Sequence, residues 1–339
     1  MLRRLLKAFL ILTTAAAIAL AAVTIWSYAR FTRPGPAQHD ITVVLPRGTG
    51  VLGIAGRLEH AGVISSAWLF ALAVELNGVE HMLQAGEYRF PGGASMREAM
   101  ALIVSGKTVV RRLTVAEGLT TAQVLDLLDA TDGLEGRIAE RPPEGSLLPE
   151  TYHFSYGDSR QGMVERMQRA MRETLDRLWR KRRADLPLKT KQQALTLASI
   201  VEKETAVPHE RPHIAGVFLN RLRRGMPLQS DPTVAYALTG GKVPLDRALA
   251  SADLKTDSPY NTYVSRGLPP GPIANPGRES IAAVLQPLDT DDLYFVADGG
   301  GGHAFARTFQ EHLRNVQRWR KVEREGRDGT EGAAQPAAR

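Results

Sequence analysis

The longest apolar run in this chain comes first. Arg3, Arg4 and Lys7 precede residues 8–29, twenty-two positions without a charge, and Arg30 closes the run. At about 1.5 Å rise per residue, a helix of this length crosses a hydrocarbon layer of about 30 Å. Basic residues on its N-terminal side predict that this end stays in the cytoplasm and that the chain after Arg30 lies outside. Trp26 and Tyr28 suit the outer interface. The small-x-small pattern Ala19-Leu20-Ala21 offers a cleaved signal peptide as the rival, but the apolar run continues past that site. The expectation is a cytoplasmic stub and transmembrane anchor over residues 1–30, then a Pro/Gly-rich linker over 31–39.

The apolar spacing then shortens. Residues 41–64, 87–107 and 111–130 each read as an extended apolar run, a Gly-containing turn and an amphipathic helix, with one more helix at 66–76. Such strands are too short and too few for a doubly wound sheet, and predict small α+β modules. Met163, Met167, Ala170, Met171, Leu175 and Leu178 line one side of a helix over 163–183, whose basic end, Arg180 to Arg183, complements its dipole. Helices are expected at 214–224, 280–285 and 306–324, a strand at 293–297, and a polar tail with no reason to fold at 325–339.

The stretch KQQALTLASIVEKET, residues 191–205, is the centre of the pattern. Ala194, Leu195, Leu197, Ala198, Ile200 and Val201 recur at helical spacing, so this helix is expected to be well buried. At about 100° per residue, Lys203 lands opposite the apolar stripe, with Glu202 and Glu204 on its two flanks. Partial burial raises a carboxyl pKa and lets it hold a proton near neutral pH. Periodicity alone does not choose between the two glutamates.

Composition narrows the chemistry. The chain of 339 residues has no cysteine, which excludes disulfides, thiolate metal sites and cysteine nucleophiles. A formal charge of +7 favours anionic partners, while 6% aromatics without basic–aromatic interleaving argues against nucleic acid. His209-Glu210-Arg211-Pro212-His213 matches the letters of a zinc-protease helix, but Pro212 would break the helix that both histidines must share. Gly299 to Gly302 lacks the Lys-Ser/Thr pair of a phosphate loop and reads as a turn. No metal and no cofactor is expected. The loop over 257–278 is long, irregular and rich in Pro and Gly, and it carries Tyr260, Asn261 and Tyr263, suited to stacking on sugars and bonding hydroxyl or amide groups. Gln229, Ser230 and Asp231 precede a helix beginning near Pro232, where Ser230 or Asp231 could act as N-cap.

The runs LLPETYHF, ASIVEKET, VFLNRLRRGMPLQSDPTVAYAL, SPYNTYVSRGLPPGPIANPG and LYFVADGGGGHAF closely resemble the MltG (YceG-like) endolytic murein transglycosylases, in the expected order over residues 41–322. The resemblance implies an α+β protein with an N-terminal transmembrane helix, a LysM-like module over 40–110 and a catalytic domain over 111–324. It implies residence in the inner membrane through residues 8–29, with the catalytic domain on the periplasmic side. The substrate would be peptidoglycan glycan strands, cut non-hydrolytically between MurNAc and GlcNAc, and peptidoglycan synthases are expected partners. Carried onto this sequence, the family's catalytic glutamate is Glu204. Glu202, Asn220, Gln229, Asp231, Tyr260, Asn261 and Tyr263 are the expected saccharide-binding or orienting residues. Two rivals stay open: a two-carboxylate hydrolase using Glu202, Asp231 or Asp257 as the second carboxylate, and a wall-binding membrane protein without catalysis.

Overall fold

A computed structural model describes residues 2–333, with side-chain surroundings through residue 324. The elements run α1 (Leu2–Thr32), β1 (Ile41–Leu45), α2 (Val51–His60), α3 (Ala67–Leu76), β2 (Gly86–Phe90), α4 (Met96–Ser105), β3 (Arg111–Thr114), α5 (Thr121–Ala130), β4 (Leu134–Glu135), β5 (Thr151–Phe154), β6 (Asp158–Ser159), α6 (Arg160–Arg180), α7 (Lys191–Glu204), α8 (Arg211–Arg223), α9 (Asp231–Thr239), α10 (Arg278–Leu285), β7 (Tyr294–Ala297), β8 (His303–Ala306) and α11 (Phe309–Ala333). Two units result. The first runs to Arg112 and includes Gly133–Glu135 and His153–Asp158; the second holds Leu113–Asp132, Gly136–Tyr152 and the chain from Ser159 onward.

In the first unit, α1 buries none of its residues and contains the whole charge-free run. It continues through Phe31 and Thr32, so the expected linker begins as helix. The rest of that stretch is pinned rather than loose. Gly35 N–H donates to Gly93 O at 3.1 Å and Gly93 N–H to Ala37 O at 2.7 Å. A Cβ on Gly35 would collide with the carbonyl oxygens of Ala94 and Val63, so only glycine lets the backbones approach this closely. Strands β1 and β2 pair antiparallel, from Ile41 opposite Phe90 to Leu45 opposite Gly86. Period-two alternation buries Leu45, Tyr88 and Phe90 against Ile54, Leu58, Phe70, Val74 and Ile103 of α2, α3 and α4. The first two strand–helix repeats are therefore halves of one module with one core, not separate modules, because each lone strand finds its partner in the other. The third repeat, β3 and α5, falls mostly in the second unit.

The second unit is built on α7. Thr190 caps it, its hydroxyl accepting the Gln193 N–H at 3.1 Å, and every residue from Ala194 to Val201 is buried. Each such Leu, Ile or Val contributes about 1.5–3 kcal/mol of burial. The buried hydroxyl of Ser199 is satisfied on both sides, donating to Thr196 O at 2.7 Å and accepting Ile273 N–H at 3.0 Å. Helices α6, α8, α9 and α10 pack around α7. Helix α8 starts at Arg211, earlier than expected, because Pro212 falls in its first turn, where no amide N–H is needed. His209 is consequently outside α8 and His213 inside it, so the two do not share a helical face. Strands β7 and β8 form an antiparallel hairpin on which α11 packs. Its turn is organised by Asp298, whose Oδ1 accepts the N–H groups of Gly300 at 2.7 Å and Gly302 at 3.1 Å. Gly299 and Gly301 supply φ values of +87° and +93°. Helix α11 runs to Ala333, into the segment expected as a polar tail; the remainder lies outside the described residues.

Candidate active site

Glu204 is the last residue of α7, at the point where the backbone turns extended at Thr205. It is partly buried, and the Ser230 hydroxyl donates a hydrogen bond to its Oε1. Burial pushes its carboxyl up to about 7. The Ser230 hydrogen bond works against that rise, the Asp231 charge adds to it, and the nearby Arg221 charge lowers it.

Ser230 is held by a closed set of buried hydroxyls. Its N–H donates to Thr262 Oγ1 at 3.0 Å, and its carbonyl accepts Thr233 Oγ1 at 2.6 Å. The Thr233 and Thr262 hydroxyls lie 2.9 Å apart. The preceding residue, Gln229, has φ of +53°, a left-handed conformation that costs a non-glycine residue about 1–2 kcal/mol. That turn sits immediately before Ser230. Ser230 occupies the N-cap position of α9 yet makes no capping bond, because its hydroxyl is given to Glu204. Asp231 opens α9, exposed, and accepts the Tyr263 hydroxyl at 2.5 Å. Burial pushes the Tyr263 phenol up, and the Asp231 bond adds to it.

Beneath this group lies Arg221, only 7% exposed. Its Nε donates to Leu293 O at 2.6 Å and its Nη1 to Leu228 O at 2.7 Å, and its guanidinium lies 5.3 Å from the Tyr294 ring. It ties α8 to the segments on both sides of the site. An arginine in register with Ile214 and Phe218 on the buried face of α8 was the sequence signal for it. Gln229 Oε1 accepts weakly from the same guanidinium at 3.5 Å.

The other expected residues divide. Glu202, expected with the saccharide set, has a side chain only 4% exposed. Its oxygens take Arg211 Nη2 at 3.1 Å and the Gly277 N–H at 2.8 Å, on the opposite flank of α7 from the Ser230 bond. Arg211 also meets Glu117 at 2.9 Å. Asn220, likewise expected there, spends its amide on the carbonyls of Thr290 at 2.7 Å and Asp292 at 3.1 Å. Asn261 is fully buried and shapes its own loop, donating to Leu254 O at 3.1 Å and Thr256 O at 2.8 Å and accepting Tyr263 N–H at 3.0 Å. Backbone carbonyls, a backbone amide and a buried guanidinium already take up polar atoms of these three side chains. Tyr260 packs on Tyr236 with ring centroids 4.9 Å apart, and Tyr236 reaches Glu144, whose carboxyl burial pushes up. Arg221 is the residue acting on Glu204 that sequence reasoning does not place there, while Ser230 reads with Gln229 and Asp231 in the polar wall before α9 but not as the hydrogen-bond donor to Glu204.

His213 Nε2 lies 2.8 Å from Asp292 Oδ2, and its ring stacks on Phe305 at 3.5 Å. Glu210 takes the His303 N–H at 2.8 Å and its Nδ1 at 2.6 Å, while the Thr205 hydroxyl reaches Glu210 at 3.3 Å. Burial opposes ionisation of Glu210, but the His303 bonds outweigh it and hold the carboxyl below its usual range. The residue following Glu204 is thereby fastened to the β7–β8 hairpin.

The profile of the YceG-like family matches residues 43–318. The endolytic murein transglycosylase of Bacillus subtilis (strain 168) is 33% identical over 323 residues, covering 84% of this chain and 87% of that protein. The endolytic murein transglycosylase of Streptococcus pneumoniae (strain D39) is 30% identical over 328 residues, covering 83% of this chain and 58% of that longer protein. A YceG-like protein of Listeria monocytogenes, known from a 2.6 Å crystal structure, is 32% identical, covers 82% of this chain and 99% of its own, and superposes with a TM-score of 0.49. With a family profile matched across most of its length and a relative of this identity matched nearly end to end, the chain belongs to the YceG-like family.

Proposed function

We propose that this chain is a membrane-anchored endolytic transglycosylase that cleaves peptidoglycan glycan strands, with Glu204 as its one acid–base group. The observation that carries the reading is a partly buried carboxyl at the end of α7 with one oxygen taken by Ser230, a setting in which burial pushes it up to about 7. Oε1 accepts from Ser230, so Oε2 is the oxygen left to carry the proton toward substrate. The protonated carboxyl gives that proton to the GlcNAc O4 as the bond from the MurNAc anomeric carbon breaks through an oxocarbenium-like state. The ionised carboxyl then takes the proton of the MurNAc C6 hydroxyl, whose oxygen bonds to the anomeric carbon and closes a 1,6-anhydro ring. Proton count is restored, and no water is consumed. Gln229, Asp231, Tyr260 and Tyr263 contact the saccharide in this reading, while Glu202, Asn220 and Asn261 hold the frame. The β1-α2-α3-β2 order of the first unit supports a LysM-like wall-binding module. Helix α1 supports anchoring in the cytoplasmic membrane with the remaining chain outside, beside the peptidoglycan synthases.

Asp231 favours a second reading, since its charge acts on Glu204 and makes it the available second carboxylate of a hydrolase. The end groups decide. Digestion of glycan strands in 18O-labelled water should yield 1,6-anhydro-MurNAc ends that carry no label and resist borohydride. Reducing MurNAc ends bearing 18O would establish the hydrolase instead.

A further inference from the structure

Helix α3 is apolar at every position but Glu75, including on the side turned away from the core, which its core contacts do not explain. Leu69, Phe70, Ala71 and Val74 face the core, but Trp68 is 67% exposed and Leu76 is 78% exposed. With Leu72 between them, these residues recur at i, i+4 and i+8, an outward stripe one residue wide and three turns long. Stripes of this kind exposed on a soluble surface mark an interaction site. Beside it runs a groove of about 600 Å³. One wall is α1, through Val23, Thr24, Ser27, Tyr28 and Phe31; the other is α3, through Leu69, Leu72 and Leu76, with Arg97 and Met100 of α4 at the end.

The wall contributed by α1 identifies the occupant. The charge-free run 8–29 measures about 33 Å as a helix, the thickness of the hydrocarbon layer, so Val23 to Tyr28 fall in its outer part. A groove that opens alongside those residues opens onto lipid, not water. Trp68 and Tyr28 are the amphipathic rings found at a bilayer interface, and exposed Arg97, like the exposed Arg30 and Arg33 at the end of α1, matches the phosphate layer. Glu75, exposed on the neighbouring flank of α3, is the one acidic residue of that helix.

Resting on the anchoring role proposed above, we infer that α3 is immersed in the outer-leaflet interface. Trp68, Leu72 and Leu76 lie among the upper acyl carbons, a phospholipid chain occupies the α1–α3 groove, and Arg97 pairs with a headgroup phosphate. The bilayer surface then holds the first unit through two elements, the spanning helix and a second helix lying alongside it.

The cysteine-free chain allows the test in the full-length protein. Single variants Leu76→Cys and Leu12→Cys, each carrying a fluorophore, are reconstituted in phosphatidylethanolamine–phosphatidylglycerol vesicles containing lipid with a doxyl quencher high on the acyl chain or at its middle. Both positions are exposed, so neither substitution disturbs a packed core. The expected result is loss of at least half the Leu76 fluorescence with the shallow quencher, and quenching at Leu12 by the deeper one. Arg97→Glu should cut Leu76 quenching at least twofold and leave Leu12 unchanged. Leu12 quenched with Leu76 unaffected would overturn the immersion while leaving the anchor standing, including where a second copy or another protein covers the stripe. Neither position quenched would remove the anchor and the inference together. Leu76 quenching indifferent to Arg97→Glu would overturn the phosphate contact.

Discussion

A carboxyl at about 7 is protonated and ionised in comparable amounts at neutral pH, which suits one group that must act first as acid and then as base. Glu204→Gln should therefore lower glycan cleavage by about 10²–10⁴-fold or more, the range for a lost acid–base group, with circular dichroism unchanged. The same substitution has a signature in stability. The folded-state value lies above the ordinary 4.5, so the native protein binds more protons than the unfolded chain between those limits. Stability falls as pH rises from about 4.5 to 7 and levels off above. Urea titrations across that window should show this slope in the parent and its loss in Glu204→Gln, with the variant more stable above pH 7 by at most about 3 kcal/mol. An equal slope in both proteins would place the titrating group elsewhere. Ser230 supplies the companion test. Its hydrogen bond lowers the Glu204 value, so Ser230→Ala should move the alkaline limb of the activity profile to higher pH, together with a loss of turnover. An unmoved limb would make Ser230 a packing residue only.

Helix α7 carries two glutamates with opposite fates, and its two flanks explain why. Glu202 is locked by Arg211 and the Gly277 N–H, whereas Glu204 meets a hydroxyl and a charged surface group. Glu202→Gln should keep cleavage within about tenfold of the parent while costing about 1–3 kcal/mol, because it leaves buried Arg211 with Glu117 as its remaining carboxylate. A variant of full stability without activity would reverse these roles. The helix and its two flanks were legible, because burial along α7 follows from spacing alone. The role of Ser230 was not: Ser-Asp-Pro before a helix fits an N-cap equally well, and only the arrival of Glu204 from a distant element diverts the hydroxyl. Asn220 and Asn261 were opaque for a related reason. An amide suited to a sugar is equally suited to a carbonyl, and nothing local says which it faces. The pairing of β1 with β2 was hidden too, since period-two alternation marks a strand without naming its partner across some forty residues.

At the scale of the whole chain, α1 exposes an apolar surface that a membrane would cover. Phe9, Leu10, Ile11, Leu12, Ile18 and Leu20 are each about two-thirds exposed, and none of the described residues buries them. Buried in lipid, side chains of this size gain about 1.5–3 kcal/mol each, far more than a domain's margin of stability. The full chain should therefore remain with the membrane through high-salt washing, which strips proteins held by charge alone. A fragment beginning at Arg33 removes α1 and keeps the segment that Gly35 and Gly93 pin to the first unit. It should be recovered in the soluble fraction and cut isolated glycan strands at a rate within a few-fold of the detergent-solubilised full chain, because Glu204, Ser230 and Arg221 all lie in the second unit. On sacculi the cuts should be internal, with mean strand length falling before small fragments accumulate. The N-terminus of the protein taken from cells separates the anchor from its rival. A mature chain starting just after Ala21 would make the apolar run a signal peptide, and salt washing would then release an active enzyme.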